Sequence, residues 1–259
     1  MKIDLNADLG EGYGAWRMGD DAAMLTLVTS ANVACGYHAG DPVVMDRTVR
    51  AARAGHVDLG AHVSFPDLGG FGRRAMQIEP RELELHIIYQ LGALEGIARA
   101  ADHRITHVNA HGALGNLVCS DRATADVLVR AVRAFDPRIA LLVLSNTELE
   151  RAAADHGLKT FGLFLADRAY DRSGQLVPRR LPGALVSDET AVLERVERVL
   201  DDRSVVTIDG AVIRVAADSI LVHGDTDGAV AIARAIRRRI EDAGGQVVPL
   251  SKLRDQPAA

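Results

Sequence analysis

The side chains able to move protons or hold a cation recur at equivalent places along this chain. Asn6-Ala7-Asp8-Leu9-Gly10-Glu11 ends the first apolar run, and Gly36-Tyr37-His38-Ala39-Gly40-Asp41-Pro42 follows the second. His62 follows the third, His111-Gly112-Ala113 the fourth, and His223-Gly224-Asp225 the last. Asn6 and Asp8 stand at i and i+2 of a strand, so both side chains leave the same face. Burying them without partners costs roughly 2 kcal/mol or more each, which argues that they have a task. A histidine near a strand end is more often a hydrogen-bonded structural residue, and Asp41 and Asp225 read first as helix N-caps. It is the repetition across strands that points to a site.

A carboxylate with several histidines serves two chemistries. One is a divalent metal centre whose bound water becomes a nucleophile near neutral pH. The other is metal-free hydrolysis, with Asp activating water and His protonating the leaving nitrogen. The chain has no HxH or HExxH spacing, so the residues alone leave both open. A phosphate-binding GxxxxGK[ST] loop, a GxGxxG fingerprint with its acidic partner and a GxSxG elbow are all missing. Cys35 reads as a small buried hydrophobe at a strand end. Arg73-Arg74 and Arg179-Arg180 lie in two long loops, about 64–79 and 168–183, where they read equally as a clamp for a carboxylate or phosphate and as solvated surface charge.

The elements that must position these residues alternate. Strands are expected near Lys2–Asn6, Ala31–Cys35, Val57–Ala61, Ile105–Ala110, Ile139–Leu144, Lys159–Ala166, Val205–Ile208 and Ser219–Val222. Helices are expected over 42–54, 80–101, 122–135, 147–156 and 188–200, with a last one capped by Asp225 and ending near Gly244-Gly245. Such alternation implies a parallel sheet. An open doubly wound sheet gathers its polar groups at one switch point. Polar groups after at least five strands instead favour a closed α/β barrel, whose C-terminal rim collects them.

The 259 residues suit one barrel domain, with a frayed tail expected after about Leu250. A net charge of −5 gives no pull toward nucleic acid, and the Arg234–Arg239 run reads as a solvated helix face. No stretch is long and apolar enough for a membrane helix. Two cysteines do not make a disulfide framework, and the start has no leader character, so a cytoplasmic protein is expected.

Six segments together resemble the LamB/YcsF family, the A component of bacterial ATP-dependent 5-oxoprolinase. They are DLNADLGEGYG (4–14), TSANVACGYHAGDP (29–42), DLGGFGRR (67–74), HVNAHGALGN (107–116), ADRAYDRSGQLVPRRLPGA (166–184) and VHGD (222–225). The resemblance implies a distorted seven-stranded (β/α) barrel of the glycoside hydrolase/deacetylase kind. It also implies hydrolysis of the 5-oxo-L-proline lactam to L-glutamate, with ATP used through a complex with subunits B and C. On this reading Asp8, His38, His62 and His111 carry the chemistry. Asn6, Glu11, Asp41, Arg73, Arg74, His223 and Asp225 are expected to bind substrate. Alternatives are a stand-alone metal-dependent hydrolase or deacetylase of a small amide, and a non-catalytic barrel subunit. The chain departs from the family where Asn109-Ala110 replaces Lys-Pro, Gly115 a Tyr, Leu163 a Glu, and Val63-Ser64 a Pro-Gly. Losing that Lys removes a charge suited to a phosphorylated intermediate or a carboxylate. Asn109 and Leu163 therefore raise a changed substrate or a lost activity.

Overall fold

The computed structural model describes residues 1–225 and 228–253. The strands are β1 (Lys2–Leu9), β2 (Ser30–Ala34), β3 (Asp58–Val63), β4 (Ile105–Ala110), β5 (Ala140–Val143), β6 (Thr160–Leu165), β7 (Ser204–Val206), β8 (Val212–Arg214), β9 (Ser219–Val222) and β10 (Gln246–Val247). The helices are α1 (Asp21–Leu25), α2 (Pro42–Ala54), α3 (Pro80–Ala100), α4 (Gly112–Ser120), α5 (Arg122–Phe135), α6 (Glu148–Asp155), α7 (Glu189–Asp202), α8 (Ala229–Asp242) and α9 (Leu250–Leu253).

Seven parallel strands close a ring in the order β1-β2-β3-β4-β5-β6-β9. Closure comes from Asp4–Ala7 of β1 lying alongside Ser219–Val222 of β9. Helices pack outside the ring, so the closed barrel expected from the polar strand ends, and the distorted (β/α) barrel that the resemblance implies, is what the chain forms. Every ring strand reads outward to helices and inward to the barrel axis with a period of two. Ile3, Leu5, Ala7 and Leu9 of β1 join the apolar layer under the helices. Asp4, Asn6 and Asp8 point inward and are buried.

The interior is therefore polar along one side. At its foot, Asp4 accepts from the hydroxyls of Thr29 (2.8 Å), Ser30 (2.7 Å) and Ser219 (2.6 Å). One layer up, Asn32 Nδ2 donates to Asn6 Oδ1 at 2.7 Å and to Asp8 Oδ1 at 2.8 Å. His107 of β4 reaches across to Asn32 Oδ1 at 3.0 Å. Gly60 leaves the room for that ring, since a Cβ there would lie 2.1 Å from His107 Nε2.

Three expectations are corrected. Val205–Ile208 does not contribute a barrel strand: Ser204–Val206 pairs antiparallel with Val212–Arg214 as an outlying hairpin. The short connection dictates this, because a parallel neighbour needs a long crossover, and β6 and β9 are already paired to each other. Asp225 does not cap the last helix. Gly228, in the left-handed region, precedes α8, while Asp225 pairs with Arg73. The chain is not frayed directly after Leu250. Leu250 is buried, and Ser251 donates from its backbone N–H and its hydroxyl to Asp58, so α9 closes the N-terminal end of the barrel. The rest of the tail, 254–259, lies outside the described residues.

Burial pushes Asp4 up to about 7, against the three hydroxyls that favour its charge. An unfolded aspartate titrates near 3.8, so between those values the folded chain binds the extra proton. Its contribution to stability is full at low pH and is lost as pH rises through about 7. Asp4→Asn is expected to lessen the fall in urea midpoint between about pH 5 and about pH 8, measured beside the unaltered chain.

Candidate active site

At the C-terminal rim the strand ends bring Asp8 (β1), His62 (β3) and His111 (the residue before α4) together, with Glu11 and His38 from the loops after β1 and β2. All five are buried. Each is fixed by backbone that the local sequence dictates. His62 Nδ1 donates to the Asn109 carbonyl at 3.1 Å, and His111 Nε2 donates to the Phe71 carbonyl at 2.8 Å. Carbonyls only accept, so these contacts assign both tautomers. The remaining nitrogens, His62 Nε2 and His111 Nδ1, then face each other at 3.0 Å. Two lone pairs do not tolerate that separation. Either a proton or a cation must lie between them.

The carboxylates frame this pair. His62 Nε2 is 3.4 Å from Asp8 Oδ2 and 3.9 Å from Glu11 Oε1. His111 Nδ1 is 3.6 Å from Glu11 Oε1. His38 donates through Nε2 to Glu11 Oε1 at 3.1 Å, and its ring stacks on His111 with centroids 3.8 Å apart and planes 7° apart. The His38 Nδ1 is buried without a hydrogen-bond partner among the described residues.

Burial opposes charge throughout, and neighbours decide who carries it. Burial drives Asp8 upward, but the adjacent His62 charge, its hydrogen bond, His223 and Asn32 together hold it well below the usual carboxylate range. Burial likewise works against a proton on His62, and Asp8 and then Glu11 overturn that, raising it. Burial and the charge of Asp8 push Glu11 up to about 8. Burial with the neighbouring His62 takes His111 down to about 3. His38, buried beside His111 and His62, lies well below the usual histidine range.

The loop 64–79 closes over this cluster. Its Leu68–Gly70 turn is capped by Asp67, and it places the Phe71 ring edge-on to His38 and His111. Gly72, at φ +64°, passes so close that a Cβ would sit 2.3 Å from Ser64 Oγ and 2.8 Å from His111 Cδ2. Arg73 stacks over Phe71 and pairs with Asp225 at 2.6 Å.

A second acid–histidine pair stands across the rim. His223 Nδ1 donates to Asp167 at 2.8 Å, leaving Nε2 for proton exchange. Burial disfavours charge on His223, and Asp167 outweighs it, raising the ring. Asp8, His62, His111 and His223 all line one cavity of about 580 Å3.

The structure thus gathers Asp8, His38, His62, His111 and Glu11, and sets Arg73, His223 and Asp225 beside them. Asn6 lies one layer below, bonded to Asn32. Asp41 caps α2 through Val43 and Val44 and accepts from Gly14 N–H, and it does not line the cavity. Arg74 is bound to Asp67 with most of its side chain in solvent, also away from the cavity. Two participants were not singled out from the sequence: Asn32 and Asp167. Asn32 carried a signal, a lone polar residue within the apolar run 31–35, and the β1–β2 register sets it opposite Asp8. Asp167 lies two residues past the end of β6, as other site residues stand at or just past the ends of their strands.

One ligand atom from each of Glu11, His38, His62 and His111 lies within 4.8 Å of the others, a set able to hold a metal ion. A tetrahedral site with bonds of about 2.0–2.1 Å separates its ligands by about 3.4 Å. Glu11, His62 and His111 fit, at 3.0, 3.6 and 3.9 Å. Both histidines also carry the carbonyl partner that metal-bound histidines need. His38 fits less well, because nearly parallel rings cannot aim their in-plane lone pairs at one point.

Fold and site define a (β/α)-barrel protein of hydrolase type, its carboxylates and histidines converging at the C-terminal rim. The chain belongs to the LamB/YcsF family, whose model matches residues 3–255. It is 56% identical over 252 residues to a 5-oxoprolinase A-type subunit of Ralstonia nicotianae, covering 97% of each chain. It is 55% identical over 253 residues to a 5-oxoprolinase A-type subunit of Pseudomonas syringae pv. tomato, covering 98% of this chain and 99% of that one. A lactam utilization protein from Thermus thermophilus superposes with a TM-score of 0.91 at 43% identity, over 96% of this chain and all of that one.

Asn32 holds Asp8, Asn6 and His107 at once. Asn32→Leu removes a buried hydrogen bond from each of the three and is expected to cost about 3 kcal/mol, read as a lower urea midpoint at unchanged m.

Proposed function

We propose that this chain is the lactam-hydrolysing subunit of a 5-oxoprolinase, opening 5-oxo-L-proline to L-glutamate. The observation that carries it is the pair of acid–histidine units, Asp8–His62 and Asp167–His223, facing one cavity in a chain that matches A-type subunits of 5-oxoprolinase over nearly its whole length. Opening the ring adds water oxygen to the lactam carbonyl carbon, breaks the C–N bond and delivers a proton to nitrogen. Asp8, ionised and locked by Asn32, takes the proton from water, and the protonated His62 beside it balances its charge. His223, held by Asp167, supplies the proton to the departing nitrogen. His38, Glu11 and His111 fix the His62 side of the site, and Arg73 with Asp225 frames its mouth.

An unstrained amide is a poor electrophile, so coupling to ATP in partner subunits B and C accounts for the driving force, consistent with the missing phosphate-binding loop. The relatives' names, which mark them as one lettered component of a 5-oxoprolinase, support such an assembly. A cytoplasmic location follows from the same reading, and no described helix is long and apolar enough to cross a membrane.

The test is glutamate release from 5-oxo-L-proline and ATP by this chain with its B and C partners, each omitted in turn. Release is expected only with all three, and Asp8→Asn is expected to lower it at least about 100-fold. Release that persists without this chain sinks the proposal.

A second reading is favoured by the facing lone pairs of His62 and His111. In it Glu11, His62 and His111 hold a divalent ion that would polarise a carbonyl or acidify water. It predicts about one zinc or manganese ion per chain by elemental analysis. The ion would raise Tm, and His62→Ala would lose both the ion and the shift. A metal-free chain with unchanged Tm on adding either ion excludes it.

A further inference from the structure

The cavity is much larger than the proposed small lactam needs. Its 580 Å3 falls in the range of about 300–1,000 Å3 typical of pockets for drug-sized ligands. Its walls are also unequal. The ends of β1, β3 and β4 present Asp8, His62, Asn109 and His111, whereas those of β5 and β6 present Leu142, Leu144, Leu163 and Leu165. These leucines are buried, at 3, 7, 6 and 6% exposure, yet they face the open cavity. An amino-acid-sized ring held at the polar side would leave water against them, which wastes apolar surface worth about 25 cal/mol per Å2.

The same cavity holds an unanswered charge. Arg73 is paired with Asp225, and Arg168 donates to the carbonyls of Val177 and Ala184. Arg179 lines the cavity half-buried and makes no hydrogen bond or ion pair among the described residues. Burial and the nearby Arg73 both disfavour its charge, which Asp225, Asp167 and Asp8 only partly offset. A guanidinium held this way is completed by a carboxylate, which it grips in a two-point geometry.

We propose that this site takes a lactam carboxylate bearing an apolar arm: Arg179 pairs with the carboxylate, and Leu142, Leu144 and Leu163 pack the arm. The inference rests on the cavity being the substrate site of the proposed lactam hydrolase. It extends the substrate class from 5-oxoproline itself to 5-oxoproline-like rings carrying an alkyl or aryl substituent.

The test is calorimetric binding to the full chain, which does not depend on partners or turnover. The probes are 5-oxo-L-proline, 4-butyl-5-oxo-L-proline in both ring configurations, and 2-pyrrolidinone, which lacks the carboxylate. One butylated isomer is expected to bind at least about tenfold tighter than the parent, since each buried methylene contributes about fourfold. Arg179→Gln is expected to weaken both carboxylates at least about tenfold and to leave 2-pyrrolidinone unchanged. Leu163→Asn is expected to reduce the gain from the butyl arm at least about fivefold. If neither isomer binds tighter than the parent, or if no carboxylate probe binds at all, the inference is overturned. This comparison within the unaltered chain needs no variant to fold. Loss of affinity in Arg179→Gln that is equal for pyrrolidinone also overturns it. Glutamate release in the complex without a butyl gain sinks this inference alone, whereas a butyl gain without any release sinks the hydrolase reading and keeps the binding class.

Discussion

Everything at the rim depends on burying Asp4, Asn6 and Asp8 on one face of one strand. Three polar side chains inside a barrel need partners, because an unpaired buried polar group costs about 1–3 kcal/mol, and of their groups only Asn6 Nδ2 lacks one among the described residues. The partners come from neighbours in the ring: Ser219 from β9, Ser30 and Asn32 from β2, His62 from β3 and, through Asn32, His107 from β4. Their hydrogen bonds tie the strands from inside, as the ladders tie them at their edges. Register between β1 and β2 follows, since a slip by one residue would turn Asp4, Asn6 and Asp8 toward the helices.

The column also sets the chemistry. Asn32 takes one oxygen of Asp8 and leaves the other to His62, so the carboxylate is aimed before any substrate arrives. The charge then propagates outward: Asp8 favours a proton on His62, and that charge disfavours one on His111 and His38. Glu11, buried beside Asp8, holds its proton up to about 8. One ionised carboxylate in a crowded, buried cluster thus differentiates three histidines and a second carboxyl group. On the far side, Asp167 does for His223 what Asp8 does for His62, and the cavity between the two pairs is where a reacting amide would lie.

Polar and apolar halves of the barrel have different work. The β1–β4 half is polar inside and organises the acid–histidine cluster. The β5–β6 half is lined by leucines and leaves space. The loop 64–79 bridges them, resting Phe71 and Gly72 on the histidines so tightly that only a residue without Cβ passes. The carbonyl of Phe71 that fixes the His111 tautomer belongs to this loop, so the covering segment is also part of the site.

Much of this was legible in the residues. Alternating strand and helix patterns implied a parallel sheet, and polar groups after several strands favoured a ring over one crevice. Asp8, His62, His111 and His223 stood out because a strand end is a place in the fold as well as a place in the chain. Other features were decided only in three dimensions. Ser204–Val206 is as β-prone as any ring strand, but β6 and β9 had already closed the barrel, and no local pattern reports that. Asp225 has the chemistry of a cap and instead answers Arg73, a residue 152 positions away. Arg73 and Arg74 are adjacent and identical in type, yet one turns to the cavity and the other to Asp67 and solvent. Residue types and their period determined which faces are buried and which groups could react. Which groups meet, which tautomer each histidine holds and which carboxylate stays charged depend on distances between strands far apart in sequence, and only the closed barrel sets those distances.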